Sequence, residues 1–241
     1  MKLLFAGETD PGCVRSSNQD SYYIDPQARF FVVADGMGGH AGGEEASRLA
    51  TAVISAYLDR QWDRELPAEE LLQEAITKAN YAILSDQYTH PERQDMGTTV
   101  VLLMMYQNET WFSHIGDSRL YRLRGGELEQ LSDDHTWIAR AIATGILTPE
   151  EARRHPWRHM LLQCLGREDI QLIETCRIDM QPGDRFLMCS DGLTEELTDD
   201  VIKDIWLNSS YQEVPKKMID AAKARGGKDN ITVVVVHNEE E

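Results

Sequence analysis

Cysteine is scarce in this chain. Its 241 residues hold four, Cys13, Cys164, Cys176 and Cys189, and no two form a Cys-x-x-Cys pair. That scatter excludes a zinc ribbon and a disulfide framework, and it points to buried or partly buried free thiols in a reducing compartment. Long apolar runs are missing too. The longest, Val100 to Tyr106, is far too short to cross a bilayer. The N-terminal Leu3-Leu4-Phe5-Ala6 run meets Glu8 and Asp10 too soon to serve as a signal peptide. A cytoplasmic location is therefore expected by elimination. Basic residues are outnumbered, 24 against 41 acidic ones, for a formal net charge of −17. So acidic a surface repels nucleic acid and anionic membranes, and neither is expected as a partner. Repeats, low-complexity tracts and Pro/Gly/Ser-rich linkers are absent. The composition, 41% hydrophobic and 27% charged, is that of an ordinary globular protein, and residues 1–241 read as a single domain. The C-terminal His237-Asn238-Glu239-Glu240-Glu241 is the one stretch whose composition reads as disordered.

Strands are legible at Phe30–Ala34, Thr98–Tyr106, Trp111–Ile115, Leu120–Leu123, Arg185–Cys189 and Ile231–His237. Phe30–Ala34 is a short β-branched and aromatic run, and Thr98–Tyr106 is nearly all apolar, as a strand buried on both faces should be. Apolar residues at three-four spacing predict helices over Glu44–Arg60 and Pro67–Tyr88, with shorter ones over Asp199–Leu207 and Gln212–Ala224. Thr148-Pro149-Glu150-Glu151 combines a capping Thr, Pro at the first helical position and Glu three residues after the cap, so a helix starts there. Strands and helices do not alternate regularly. That argues for α+β layering over a doubly wound parallel sheet.

The informative pattern is acidic. Asp35, Asp117 and Asp191 each follow an apolar strand, and Asp229 precedes another. Strands hold side chains rigidly, and a following Gly lets the backbone turn a carbonyl toward a ligand. Carboxylates and carbonyls are what Mg2+ and Mn2+ prefer. A single Asp-Gly is more often only a tight turn. Turn use does not explain why four such acids abut strongly apolar strands. A calcium-binding module is excluded, because no Asp-x-Asp-x-Asp-Gly loop with a distal Glu occurs.

Six blocks surround these acids: Arg15-Ser16-Ser17-Asn18-Gln19-Asp20, Ala34-Asp35-Gly36-Met37-Gly38-Gly39-His40, Met96-Gly97-Thr98-Thr99, His114-Ile115-Gly116-Asp117-Ser118-Arg119, Cys189-Ser190-Asp191-Gly192-Leu193 and Gly227-Lys228-Asp229-Asn230-Ile231-Thr232. In this order they resemble the PPM family, the metal-dependent type 2C Ser/Thr protein phosphatases. The Gly38-Gly39-His40 form and the Pro149–Gly166 segment resemble its bacterial branch. The whole sequence is similar to cyanobacterial members that act on the PII nitrogen-signalling protein. The resemblance implies a four-layer α-β-β-α sandwich: two central, mainly antiparallel sheets packed face to face, with helices on both sides.

It also implies a mechanism and a set of roles. Two Mg2+ or Mn2+ ions would share Asp35, with the Gly36 carbonyl, Asp191 and Asp229 completing their protein ligands. Asp20 would hold water behind them. A water bridging the ions would attack phosphorus in line, with no phosphoenzyme; no Cys-x5-Arg spacing of a thiol phosphatase occurs. Arg15 would bind phosphate through its planar fork. Asp117 would help hold a third, weaker ion together with Asp191, the turn-capping alternative being a pair with Arg119. Relatives that carry His after Asp-Gly have Met37 in its place here, so His40 is the candidate acid or a merely structural residue. Residues 140–167 would form a flap beside the site. They include Arg140, Arg153, Arg154, Arg158 and Arg167 against Glu150 and Glu151, a formal +3. They read either as a substrate-facing surface, with His159 as a contact, or as a solvated helix pair. The expected partner is a phosphorylated protein, with PII a candidate, and the expected state is a monomer. Rival readings are a hydrolase of small phosphate esters or nucleotides, and a non-catalytic partner-binding relative; Asp35, Asp191 and Asp229 all being present speaks against the latter.

Overall fold

A computed structural model describes residues 2–39, 42–152, 155–170 and 173–239. In chain order the elements are β1 (Lys2–Asp10), β2 (Asp20–Ile24), β3 (Phe30–Met37), α1 (Gly42–Gln61), α2 (Ala68–Thr89), β4 (Gly97–Thr98), β5 (Val100–Tyr106), β6 (Glu109–Ile115), β7 (Arg119–Arg124), β8 (Glu127–Gln130), α3 (Trp137–Ala143), α4 (Pro149–Ala152), β9 (Thr175–Ile178), β10 (Arg185–Cys189), α5 (Asp191–Thr194), α6 (Asp199–Leu207), α7 (Val214–Lys223) and β11 (Ile231–Glu239). They build two sheets, the first ordered β2-β3-β5-β6-β9, with β4 appended to β3, and the second ordered β1-β11-β10-β7-β8; every pairing is antiparallel.

Side-chain alternation along each central strand makes the layers. On β3, Phe31 and Val33 face the opposite sheet, where they meet Phe186, Met188, Val234 and Val236. Phe30, Val32 and Ala34 face the other way, onto α1 and α2 through Ala46, Ala50, Ile54, Leu72 and Ile76. On the second sheet, Val233, Val235 and Leu187 face α6 and α7 through Ile202, Trp206, Met218 and Ile219. Each such strand is therefore buried on both faces, which is why its sequence is an unbroken apolar run. Burial of one such side chain contributes about 1.5–3 kcal/mol, and the stacked sheets form a stiff platform. This is the expected α-β-β-α sandwich.

Differences from the sequence reading are local. The capping box is present as read: the Thr148 amide donates to Glu151 Oε2 at 2.8 Å and the Glu151 amide to Thr148 Oγ1 at 3.3 Å. β11 continues through Glu239, pairing Lys2 with Glu239, so His237–Glu239 are strand rather than disordered tail. Cys164 and Cys189 are buried thiols, but Cys13 and Cys176 are exposed, because one lies in the loop after β1 and the other on β9 at a sheet edge. β6 and β7 flank the Gly116-Asp117 turn without pairing to each other. They belong to different sheets, so this turn crosses the sandwich. Among the described residues no helix is long and apolar enough to cross a membrane.

Candidate active site

The two sheets deliver their acids to one end of the sandwich. On the first sheet Asp20 and Asp35 are register partners, side by side on β2 and β3. Asp35 lies inside its strand, not at the end as read, since β3 runs on to pair Gly36 and Met37 with β4. Its backbone is fixed on both sides. Its amide donates to Thr99 Oγ1 at 3.0 Å, and its carbonyl accepts from Thr98 Oγ1 at 2.8 Å and from the Thr99 amide at 2.9 Å. Gly36 follows where a Cβ would stand 2.0 Å from the Gly43 carbonyl oxygen and 2.5 Å from that of Gln19, so only glycine fits. On the second sheet Asp191 opens α5 directly after β10, and Asp229 stands just before β11. Asp117 occupies the turn between the sheets.

Asp20 ties the halves together. Its Oδ2 accepts from Ser190 Oγ and Thr232 Oγ1, both at 2.7 Å and both on the opposite sheet's side. Among the described residues no N–H or hydroxyl donor reaches its buried Oδ1. An orphaned buried acceptor of this kind calls for a water or an ion. Arg15 enters from the loop between β1 and β2, its Nη2 2.6 Å from Asp229 Oδ2. That pair is half exposed at the arginine, so it contributes only about 0–1 kcal/mol to stability. Its use is therefore sought in the cleft. Asn230 staples this loop down: its Nδ2 donates to the carbonyls of Pro11 (3.1 Å) and Ser17 (2.9 Å), and its Oδ1 accepts from the Gln19 amide (2.8 Å).

The resulting cleft of about 410 Å3 is lined by Arg15, Gln19, Asp35, Gly36, Met37, Thr99, Asp117, His159, Asp191 and Asp229, among others. Arg15 is the only arginine or lysine among the described residues that line it. Burial, reinforced by the neighbouring carboxylates, pushes Asp35 and Asp191 well above the usual carboxylate range. Burial also pushes Asp20 and Asp117 up to about 6. Four acids crowded against one arginine repel one another, and divalent cations are the natural remedy. The donor set, carboxylates and a backbone carbonyl, is the hard-oxygen kind that Mg2+ and Mn2+ take.

Eight of the nine residues singled out from sequence meet here: Arg15, Asp20, Asp35, Gly36, Asp117, His159, Asp191 and Asp229. The ninth, His40, lies outside the described residues, as do Arg153 and Arg154 of the flap. Arg119 does not pair with Asp117. Its guanidinium is bidentate to Asp134, at 2.9 and 2.7 Å, which removes the turn-capping alternative in the form considered. The sequence reading missed Glu195, whose Oε1 lies 2.7 Å from His159 Nδ1. Ligand atoms of His159, Asp191 and Glu195 lie within 4.8 Å of one another. The i,i+4 spacing of Asp191 and Glu195 was the available signal. It also missed Asn230, Ser190 and Thr232 as supports, although all three stand inside the quoted motifs.

Fold and site together define a class: a metal-dependent phosphatase domain whose cations would sit among acids at the end of a two-sheet sandwich. Residues 14–230 match the family model described as Protein phosphatase 2C. The chain belongs to this family. It is 38% identical over 233 residues to the serine/threonine protein phosphatase PstP of Mycobacterium tuberculosis, covering 97% of this chain and 44% of that protein. It is 35% identical over 243 residues to the protein phosphatase PhpP of Streptococcus pneumoniae, covering 97% of this chain and 96% of that one. The chain thus spans less than half the length of PstP and nearly all of PhpP. A crystal structure of the PstP catalytic domain in complex with two manganese ions superposes with a TM-score of 0.87, at 34% identity and 99% coverage of both chains.

Proposed function

We propose that this chain removes phosphate from phosphoserine and phosphothreonine side chains of proteins, acting as a cytoplasmic monomer. The cluster of buried carboxylates around Asp35, facing Arg15 across an open cleft, carries this reading. Asp35, Asp191 and Asp229, with the Gly36 carbonyl, would hold two Mg2+ or Mn2+ ions, and Asp117 with Asp191 a third, weaker one. When bound, the ions supply an acidified water and screen the phosphoryl charge. Arg15 turns its fork from Asp229 to two phosphate oxygens and orients the ester. Asp20, anchored through Oδ2, uses Oδ1 to accept a hydrogen bond from water behind the phosphate. Met37 has no proton to give, so the leaving alkoxide takes its proton from water ordered on the Asp117 side. His159, held by Glu195, faces the incoming protein from the flap. The named activities of PstP and PhpP support a phosphoprotein substrate. The PII signalling protein is the first to try.

The test compares a phosphothreonine peptide, phosphorylated PII and nucleotides, each with Mn2+ and with EDTA. Hydrolysis of the peptide or PII with Mn2+, lost in EDTA, is expected. Preference for nucleotides would replace this reading with that of a small-ester hydrolase. Hydrolysis that persists in EDTA would remove the metal site.

A further inference from the structure

His135 sits between the Asp117 turn and the flap and is bonded to both. Toward the turn, its amide donates to the Gly116 carbonyl at 2.9 Å, and the Gly116 amide donates back to its Nδ1 at 3.2 Å. The second bond fixes the tautomer, with the ring hydrogen on Nε2. The ring is locked by stacking on His114, centroids 4.5 Å apart and planes 24° apart. His114 is locked in turn, its Nε2 donating to the Asp133 carbonyl at 2.7 Å. Next door, Asp134 holds Arg119, two residues beyond Asp117.

Toward the flap, the Leu162 amide donates to the His135 carbonyl at 2.8 Å and the Trp137 amide to the Met160 carbonyl at 2.9 Å. Thr136 bridges Leu161 between them. This flap segment directly follows His159, which lines the cleft. The turn cannot absorb a push from that side. Gly116 has φ +105°, and even a Cβ there would lie 2.5 Å from Thr99 Cγ2, while Thr99 Oγ1 is engaged by the Asp35 amide and lies 2.7 Å from Ser118 Oγ.

We propose that His135 is a positioning residue that couples the flap to Asp117: its ring sets the turn that aims the Asp117 carboxylate, and its main chain carries the flap segment Met160–Leu162. A phosphoprotein that seats the flap thereby seats Asp117. A small ester that never touches the flap gains nothing from the linkage. The kinetic consequences rest on the phosphatase reading above, whereas the linkage itself does not.

Three variants separate the roles. His135→Phe keeps the stacking ring and loses the acceptor. His135→Asn restores an acceptor, since Oδ1 stands where Nδ1 was. His135→Gln takes the place of the Phe variant if that one does not fold, its amide reaching past Gly116. Hydrogen exchange of metal-free protein is read first. In His135→Phe, amides of 116–118 and of 160–162 should exchange faster together, and in His135→Asn both should stay near wild type. On a phosphoprotein, His135→Phe should lower kcat about tenfold with KM little changed, since small misplacements of a reacting group cost that much or more. His135→Asn should stay within about threefold. In an Asp117→Ala background, His135→Phe should cost nothing further, because the two act through one group. Faster exchange in only one segment overturns the coupling. Multiplicative losses in the double variant, or equal losses in Phe and Asn, overturn the role through Asp117. An inactive wild type with linked exchange would instead overturn the phosphatase reading and leave the linkage standing.

Discussion

The acid cluster and the flap lie on the same cleft and are built in opposite ways. Asp35, Asp191 and Asp229 stand on or beside strands buried on both faces, and Asp20, on the edge strand β2, is bonded across the sandwich to Ser190 and Thr232. The flap rests on short helices and isolated bridges, Thr136 to Leu161 and Thr98 to Leu165. Its His155 and Trp157 cluster with Trp137 before it, leaving Trp157 half exposed, with Met160 and Leu162 exposed beside it. A site that must hold cations to within a fraction of an ångström belongs on the first kind of support. A surface proposed to meet a protein substrate can use the second. Asp117 is the mixed case, placed in a turn between the sheets but tied through His135 to the flap.

Substitutions should rank along that division. Asp191→Ala removes a proposed metal ligand held at a strand end and should lower kcat/KM on every substrate on the order of a thousandfold or more. Mn2+ binding measured on the same variant checks the cause: tight binding of two ions with normal turnover would dissolve the cluster half of the comparison. Asp117→Ala should lower kcat about a hundredfold on a phosphopeptide, and much less on a nitrophenyl ester whose leaving group needs no proton. The two core ions should remain bound. Equal loss on both substrates would move Asp117 from proton delivery to the cation core. Arg15→Ala should raise KM about tenfold with Mn2+ affinity and melting temperature nearly unchanged, as expected of an arginine whose pair with Asp229 is half exposed and whose proposed partner in the working enzyme is phosphate. Unaltered steady-state constants would reduce Arg15 to a surface residue. Trp157→Ala should cost only about threefold, on a phosphoprotein alone, with nitrophenyl ester hydrolysis intact. An equal loss on the small ester would show that the flap acts on the chemistry as well as on the partner.

The same division governs what could be read from sequence. Helix α4 was legible because its capping box closes within four residues, and the central strands because burial on both faces leaves an unbroken apolar run. β1 and β2 escaped notice because their residues are mostly half-buried and mix Gly, Glu, Asp and Tyr with apolar positions. The acids stood out by their place next to strands, and their roles came from the family resemblance. Their supports did not stand out. Ser190 and Thr232 reach Asp20 across 170 and 212 residues, and Asn230 reaches Gln19 across 211. Such contacts follow from how two sheets register on each other, which no local pattern encodes. Glu195 and His135 were passed over for the same reason: one meets its partner through the flap, the other through the crossing turn.

The central claim is that buried, mutually repelling carboxylates make this cleft a cation site. Asp20 and Asp117 are pushed up to about 6, and Asp35 and Asp191 well above the usual carboxylate range, all above their unfolded values. In metal-free protein Asp20 and Asp117 therefore hold protons at pH 5, and the stability that raised carboxyl pKa values give at low pH is lost as pH rises through the folded values. Cations compete with those protons, so they should stabilise more at high pH. Burial lowers His135 and His237 to about 4, an opposite pH effect, but one common to both forms that cancels in the difference. The direct measurement is calorimetry of the metal-free chain with Mn2+ at pH 5 and pH 7.5, paired with thermal melts. Two ions bound per chain at pH 7.5, with a gain in melting temperature that grows from pH 5 to pH 7.5, is the expected result. Fewer than two ions, or a gain that does not change with pH, would contradict it.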